Sequence, residues 1–280
     1  MTRFYIIIPT FNRPGLLVEA LGSLQKQTYK NWEAIVVNDA SDQDYSEVER
    51  AFASDSRINF ARRDVNGGVN QSVNTGLDIA ADRYDIDFIA IMDDDDLFVP
   101  DYLEKAADVI QKHPEYGWFM SNNVGEQKNS SRSITQECEL DYVDDYIYGK
   151  LRGDKGRLIA ANILKDLRMD SRFRASHRWP FFTDVAQRTK IWAFPHGSIQ
   201  KRYLNGGITK AEKQPGNSSD IFHRVSKHWH VIKCHPTKWV AYQYLLLESI
   251  KTPGRLIQLG FRRFSGWVSD ERGSSNLEKT

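Results

Sequence analysis

Cysteine is nearly absent from this chain: two occur in 280 residues, Cys138 and Cys234, far apart and in no metal-binding spacing. So few thiols exclude a disulfide scaffold and suit a reducing compartment. Long apolar runs are missing too. No stretch approaches the roughly 18 apolar residues of a membrane span. The N-terminal run from Phe4 to Ile8 is cut short by Pro9 and by Asn12-Arg13-Pro14, so it does not read as a secretory leader. Nor does one sign of charge dominate. Lys and Arg number 38 against 37 acidic residues, and no global field points to nucleic acid or another polyanion. No internal repeat is visible. What remains is 40% apolar and 27% charged, long enough for one large domain, or a domain with an appendage, around a sizeable core. A cytoplasmic protein is expected.

The stretch with most chemistry is Asp87 to Pro100, "DFIAIMDDDDLFVP". Phe88 to Met92 form a near-continuous apolar run, which predicts a strand buried on both faces. Asp93 to Asp96 follow at once. A strand that delivers carboxylates to its C-terminal end puts them where open α/β sheets bind ligands. Four like charges in a row repel, and a bound cation offsets that cost. Mg²⁺ and Mn²⁺ prefer such oxygen ligands, Mg²⁺ commonly with one or two carboxylates and substrate phosphates. The plainer reading is a solvated acidic turn capping a helix that begins near Pro100 and Asp101.

Around that stretch the first 120 residues alternate strand and helix. "RFYIIIPT" predicts a buried strand, and Leu17, Ala20, Leu21 and Leu24 recur at helical spacing after Pro14. "WEAIVVND" predicts a second strand, Tyr45 to Phe52 a helix, and "RINFA" a third strand. Behind Gly67-Gly68, Val69, Val73, Leu77 and Ala80 share one helical face. A helix with Leu103, Ala106, Ala107 and Ile110 and the strand "GWFMS" follow the aspartates. Repeated βα units imply a mostly parallel sheet covered by helices.

Taken in order, these pieces resemble the inverting family 2 glycosyltransferases of bacterial polysaccharide and lipopolysaccharide type. "IIIPTFNRPGLLVEALGSLQKQTYKNWEAIVVNDASD" matches that family's opening, "NGGVNQSVNTGL" its N-x-G…N-x-G segment, and "IMDDDDLFVPDYL" its D-x-D motif with the trailing proline. The resemblance implies an α/β fold of GT-A (Rossmann-like) type. Its form is a three-layer sandwich with a mixed, mostly parallel central sheet and a helical or irregular C-terminal extension. It divides the chain into a GT-A domain over 1–220 and an extension over 221–280. Within the domain, 1–122 is the nucleotide-sugar-binding half and 123–220 the acceptor and base half. Pro9, Thr10, Asn12, Asp39, Asn66, Asn74, Asp93, Asp94 and Arg188 are the implied nucleotide-sugar contacts, with Asp39 at the base. Asp95 and Asp93 are the implied ligands of Mn²⁺ or Mg²⁺. Val73 departs from the family, which often has an arginine there. Taken alone, Asp39 reads as a turn former capping nearby backbone NH groups. Gly67-Gly68 read as loop glycines permitting positive φ, and Arg62 and Arg63 as a solvated edge.

The second half is less patterned. Val124 to Lys155 is polar, with Asp141, Asp144, Asp145 and several tyrosines, and reads as a long connection toward the acceptor side. Leu158 to Leu167 fits either a helix or a strand. In "FRASHRWPFFTDVAQRTKIWAF" the resemblance implies that Asp184, opening a helix, is the catalytic base, with Arg188 four residues on. Thr183 replaces the Glu that often precedes that aspartate and reads as the helix N-cap. "SIQKRYLNGGIT" resembles the closing strand and a following basic segment, offering Lys201, Arg202 or Lys210 to a diphosphate, against plain solvated cations. His223, His228, His230 and His235 around Cys234 match no standard zinc spacing and read as an amphipathic segment. From Lys251 to Val268 four basic residues interleave with apolar and aromatic ones, and no acid. That pattern suits peripheral contact with the inner face of a membrane, or packing onto the domain.

The implied activity is metal-dependent, inverting transfer of a sugar from a nucleotide sugar, a UDP-sugar, to a hydroxyl of a glycan or glycolipid. Two rivals stand beside it. A sugar nucleotidyltransferase normally has a glycine-rich basic loop after its first strand, where this chain reads "PTFNRPG". A catalytically degenerate GT-A-like binding or scaffold protein at a membrane surface is the other, kept open by Thr183 and Val73.

Overall fold

The structure is a computed structural model and describes residues 1–125, 133–149, 151, 153–174, 178–202 and 219–247, with backbone only for 219–226. Lys210 and the basic, aromatic stretch 251–268 lie outside the described residues. The chain divides into two compact units, Met1–Lys210 and Ala211–Thr280. Among the described residues of the second are a helix α7 (Ser219–Cys234) and helical residues 239–247. Among the described residues no helix is long and apolar enough to cross a membrane.

The first unit opens with the expected alternation: β1 (Phe4–Thr10), α1 (Pro14–Gln25), β2 (Trp32–Asn38), α2 (Ser46–Phe52), β3 (Ile58–Arg62), α3 (Val69–Ala81) and β4 (Phe88–Ile91). After the aspartates come β5 (Leu97–Phe98), α4 (Tyr102–Lys112) and β6 (Trp118–Asn123). The described strands form one mixed sheet in the order β3-β2-β1-β4-β8-β6-β9-β5, where β8 is Gly156–Ala160 and β9 Ile191–Gln200, with β7 (Cys138–Leu140) paired on β9. Its parallel character is concentrated in β3-β2-β1-β4. Beyond β4, only β6 and β9 run parallel, and β8 enters antiparallel between β4 and β6.

Alternation along β1 explains the three layers. Successive side chains of a strand point to opposite faces. Phe4, Ile6 and Ile8 pack with Leu17, Leu21 and Leu24 of α1 and with Leu103, Ala106 and Ile110 of α4. Tyr5 and Ile7 join the other core, with Val73 and Leu77 of α3 and with Phe181, Phe182 and Val185 of α6 (Trp179–Arg188). Covered on both faces, β1 has no polar side, which is why the sequence shows a solid apolar run. Pro9 is tolerated in this central strand for a positional reason. The Ile7 carbonyl faces β4, where it accepts from Met92 N at 3.0 Å. Pro9 faces the same way, but past the end of the β4 ladder, so no sheet bond is lost.

In the second half the structure sharpens two expectations and corrects two others. The connection from Val124 carries β7 and a π-helical turn, Tyr142–Ile147. Asp141 caps that turn by accepting from Val143 N and Asp144 N, both at 2.9 Å, while Tyr142 lies 5.1 Å from the Trp118 ring. Leu158 to Leu167 is both candidates in succession: β8, then the short helix α5 (Ala161–Leu164). Asp184 does not open its helix, and Thr183 is no N-cap. α6 starts at Trp179, because Pro180 fits the first turn where no NH is needed. The buried Thr183 hydroxyl instead donates to the Trp179 carbonyl at 2.8 Å.

One contact fixes how closely α3 lies on β1. A Cβ built on Gly76 would sit 2.4 Å from Ile7 Cγ2. Alanine favours an unhindered helix over glycine by about 1 kcal/mol, yet overfilling a packed core typically costs about 1–3 kcal/mol. The expected outcome is that Gly76→Ala lowers stability in urea unfolding; a gain would show that the α3–β1 contact relaxes freely.

Candidate active site

The C-terminal ends of β1, β2 and β4 meet at one edge of the sheet. Thr10 closes β1 opposite Asn38 of β2, Asp39 follows β2, and the aspartates follow β4. The chain turns tightly there, with Asp96 N donating to Asp93 O at 3.1 Å. The four side chains alternate in exposure: 35% for Asp93, 7% for Asp94, 21% for Asp95 and 3% for Asp96. Asp93 and Asp95 therefore look outward and Asp94 and Asp96 inward, which gives the D-x-D spacing a physical basis. The turn presents every second carboxylate.

Each inward carboxylate is tied to another element. Thr10 Oγ1 donates to Asp94 Oδ2 at 2.8 Å. Its single proton is thereby used, so Tyr45 OH is the donor in the 2.9 Å bond to Thr10 Oγ1. Tyr45 OH in turn accepts from Arg13 N at 3.0 Å. This directed chain locks the β1–α1 turn onto the aspartates. Asp96 Oδ2 accepts from Lys201 Nζ at 2.5 Å.

Cations close the ring. Arg13 Nη1 lies 3.3 Å from both Asp94 Oδ1 and Asp95 Oδ2, and Arg178 Nη2 is 3.4 Å from Asp93 Oδ1. Lys201 Nζ also reaches Asp93 Oδ2 at 3.4 Å and Asp154 Oδ2 at 3.9 Å, and Arg202 Nε donates to the Asp95 carbonyl at 2.8 Å. Burial disfavours charge throughout the turn. It pushes Asp94 up to about 6, against the Thr10 bond and the Arg13 guanidinium, and raises Asp96 as well, against the Lys201 ammonium. Burial and the Asp93 charge raise Asp95 as well. At Asp93 burial is outweighed by Arg178 and Lys201, which hold its carboxyl well below the usual range. Burial works against the charge of Lys201 too, yet Asp93, Asp96 and Asp154 hold its ammonium above ordinary lysine.

The remaining expected residues fall into two groups. Asp39 is buried and accepts from Gly67 N at 3.1 Å and Gly68 N at 2.6 Å, with Arg63 Nε 3.5 Å away. It caps backbone, as the plainer reading held, but the backbone is some 28 residues on, at the start of α3. Gly68 is required there: its φ is +84° and a Cβ would lie 2.4 Å from the Arg174 carbonyl. Asn12, at φ 54°, uses its Oδ1 to accept from Asp42 N (2.8 Å) and Gln43 N (3.2 Å), shaping the loop after β2. In that loop Ala40 is also left-handed, φ 58°, a strained conformation for alanine of the kind found at functional sites.

Asn66 and Asn74 belong to a strap. Asn74 accepts from Met169 N at 2.7 Å and donates to Met169 O at 2.8 Å. Asn70 donates to Asp170 O at 3.3 Å, and Asn66 Oδ1 accepts from Arg174. Asparagines four residues apart thus hold Met169–Arg174 along the start of α3. Arg188 is also engaged, by Asp166 (2.9 Å) and the Ile163 carbonyl (3.0 Å). Asp184 is half-buried in α6, whose flanking residue Arg178 touches Asp93. Six residues separate them, about 9 Å of helix rise.

Sequence reasoning missed Arg13, Tyr45, Asp154 and Arg178. Arg13 was findable, three residues past Thr10 in the turn that faces the aspartates. For Arg178 there was no signal, because its partner lies 85 residues away.

The outward carboxylates at the end of β4, on a three-layer α/β domain, are the arrangement the GT-A resemblance implies. Residues 5–173 match the glycosyl transferase family 2 domain, and the chain belongs to that family. The GalNAc(5)-diNAcBac-PP-undecaprenol beta-1,3-glucosyltransferase of Campylobacter jejuni is 29% identical over 182 residues, 62% of this chain and 56% of that protein. The putative colanic acid biosynthesis glycosyl transferase WcaA of Escherichia coli is 24% identical over 232 residues, 80% of each. The chain spans less than two thirds of several curated relatives, 12% of the uncharacterized protein y4gI of Sinorhizobium fredii among them. Among solved structures, S. aureus TarS 1-349 in complex with UDP-GlcNAc superposes with a TM-score of 0.72 at 17% identity, covering 87% of this chain and 70% of that one. The mannosyltransferase PcManGT from Pyrobaculum calidifontis, in complex with GDP-Man and Mn2+, gives 0.54 at 15% identity, covering 95% and 83%. At these identities the likeness shows the fold.

The Asn74 strap yields a direct check. Losing both bonds leaves the Met169 NH and carbonyl to find new partners, at about 1–3 kcal/mol. Chemical denaturation of Asn74→Ala should show that loss, whereas an unchanged midpoint would free Asn74 for a ligand.

Proposed function

We propose that this chain transfers a sugar from a nucleotide sugar, a UDP-sugar, to a hydroxyl of a glycan or glycolipid, with inversion at the transferred carbon. The observation that carries this reading is the outward pair Asp93 and Asp95 at the strand ends, set within the cations Arg13, Arg178 and Lys201. A nucleoside diphosphate is an anion that needs both kinds of neighbour. Its phosphates need positive charge, and a divalent ion bridging them needs carboxylates. The donor set fits Mn²⁺ or Mg²⁺: carboxylate oxygens of Asp93, Asp95 and Asp96 lie within 4.8 Å of one another. Asp95 and Asp93 would hold the ion, which when bound supplies Lewis-acid stabilisation of the leaving diphosphate.

The other roles follow from position. Pro9 and Thr10 form the floor under the nucleotide, and Asp94, fixed by Thr10, stiffens that floor. Asp39 keeps acceptor capacity beyond its two backbone bonds, enough to take a hydrogen bond from the base. Asn12, Asn66 and Asn74 shape this pocket by holding its loops. Arg188, bound by Asp166, acts on α6 rather than on phosphate. Asp184 is the general base that takes the proton of the acceptor hydroxyl. One base facing the side opposite the leaving group gives inversion, so an α-linked donor yields a β-linked product. The PP-undecaprenol acceptor in the name of the C. jejuni relative supports a glycolipid acceptor.

Two measurements test these roles. Asp39→Asn keeps the side-chain shape but loses the carboxylate, so UDP affinity by calorimetry should fall about tenfold, the size of one charged hydrogen bond. The fall should be alike with Mn²⁺ and with EDTA; an unchanged affinity would leave Asp39 as a loop cap alone. Asp184→Asn should leave donor binding intact and lower kcat by roughly 10²–10⁴-fold, the usual contribution of a general base. If the variant keeps more than about a tenth of kcat, the base lies elsewhere.

A further inference from the structure

The expected metal site already holds a cation of the chain's own. Lys201 follows β9 directly, and its Nζ stands 2.5 Å from Asp96 Oδ2 and 3.4 Å from Asp93 Oδ2. Those carboxylates supply two of the three oxygens that converge within 4.8 Å. A divalent ion bound among them would lie a few ångströms from the ammonium. Like charges a few ångströms apart repel strongly even at a protein-like dielectric, and a divalent ion doubles the repulsion. The ammonium and the metal cannot share the seat. Lys201 has somewhere to go: Asp154 Oδ2 is 3.9 Å from Nζ, outside the converging triad, on a side chain left 60% exposed.

We propose that Lys201 and the divalent ion compete for one seat, so that Lys201 is the resident counter-ion of the aspartate turn and a metal binds only by displacing it toward Asp154. Arg13 and Arg178 do not play this part. Arg13 bridges Asp94 and Asp95 from the β1–α1 turn, and Arg178 reaches the other oxygen of Asp93 at 3.4 Å. Lys201 alone among the described cations contacts two members of the triad. The turn is thereby neutralised whether or not metal is present, and the metal affinity of the free protein is set low. This inference rests on the reading of the turn as a metal site but not on any donor or acceptor.

The test is calorimetric titration of the nucleotide-free protein with Mn²⁺, comparing wild type, Lys201→Met and Lys201→Gln, with Asp95→Ala as the control for the site. Mn²⁺ should bind both Lys201 variants at least about tenfold more tightly than wild type, since the repulsion between ammonium and metal is removed. Asp95→Ala should abolish that binding. Equal affinity in wild type and variants would overturn the competition while leaving the metal site standing. Absence of Mn²⁺ binding in all of them would overturn both. A second readout needs no substitution. Reductive methylation of wild-type lysines, read by peptide mass spectrometry, should label Lys201 several-fold faster at saturating Mn²⁺ than in EDTA. Unchanged labelling would also overturn the proposal.

Discussion

Four consecutive carboxylates at the end of a buried strand set the problem that the rest of the domain solves. Neighbouring charges a few ångströms apart cost about 4 kcal/mol per pair at a protein-like dielectric. Net domain stability is about 5–15 kcal/mol, so the turn cannot be held fully ionised without compensation. The structure compensates in two ways. Burial raises Asp94, Asp95 and Asp96, so these carboxyls give up their charge more readily and the repulsion falls. Arg13, Arg178 and Lys201 return positive charge at 2.5 to 3.4 Å.

The origin of those cations explains the topology. Arg13 precedes α1, Arg178 precedes α6, and Lys201 and Arg202 follow β9. None is near the aspartates in sequence; the sheet brings them there. β9 runs parallel to β6 and antiparallel to β5, with Leu97 opposite Gln200. That pairing places the residues immediately after β9 against the residues immediately before β5. The two-residue strand β5 is thus the register device that seats Lys201 on Asp96.

How far the sequence could be read depends on the range of the interaction. Buried strands and helices announced themselves through periodicity along a few residues, as in Phe4 to Ile8 and Leu17 to Leu24. The outward and inward alternation of Asp93 to Asp96 was contained in the D-x-D spacing. The second half resisted because its order comes from side-chain pairings without period: Asp141 capping a π-helical turn, Tyr142 against Trp118, Thr183 bonded back to Trp179. The N-x-G…N-x-G segment was recognisable as a motif, yet the partners of Asn70 and Asn74 lie about a hundred residues away.

Those asparagines connect the two halves mechanically. Asp39 fixes Gly67 and Gly68, and with them the start of α3; Asn66, Asn70 and Asn74 then hold Met169–Arg174 along it. In the sequence that segment precedes α6, which Arg178 flanks and which carries Asp184. A carboxylate assigned to the nucleobase side therefore also governs, through backbone bonds at the start of α3, where the strap lies. The helix that carries the proposed base is tied to the aspartate turn by a separate contact, Arg178 at the head of α6 with Asp93. In a transfer that needs donor and acceptor in line, a misplacement of about 1 Å can cost on the order of a hundredfold in rate. The hydrogen-bonded path from β2 through α3 to Met169–Arg174 serves that demand, and it accounts for why polar side chains lie between α3 and the strap where apolar ones would pack without direction.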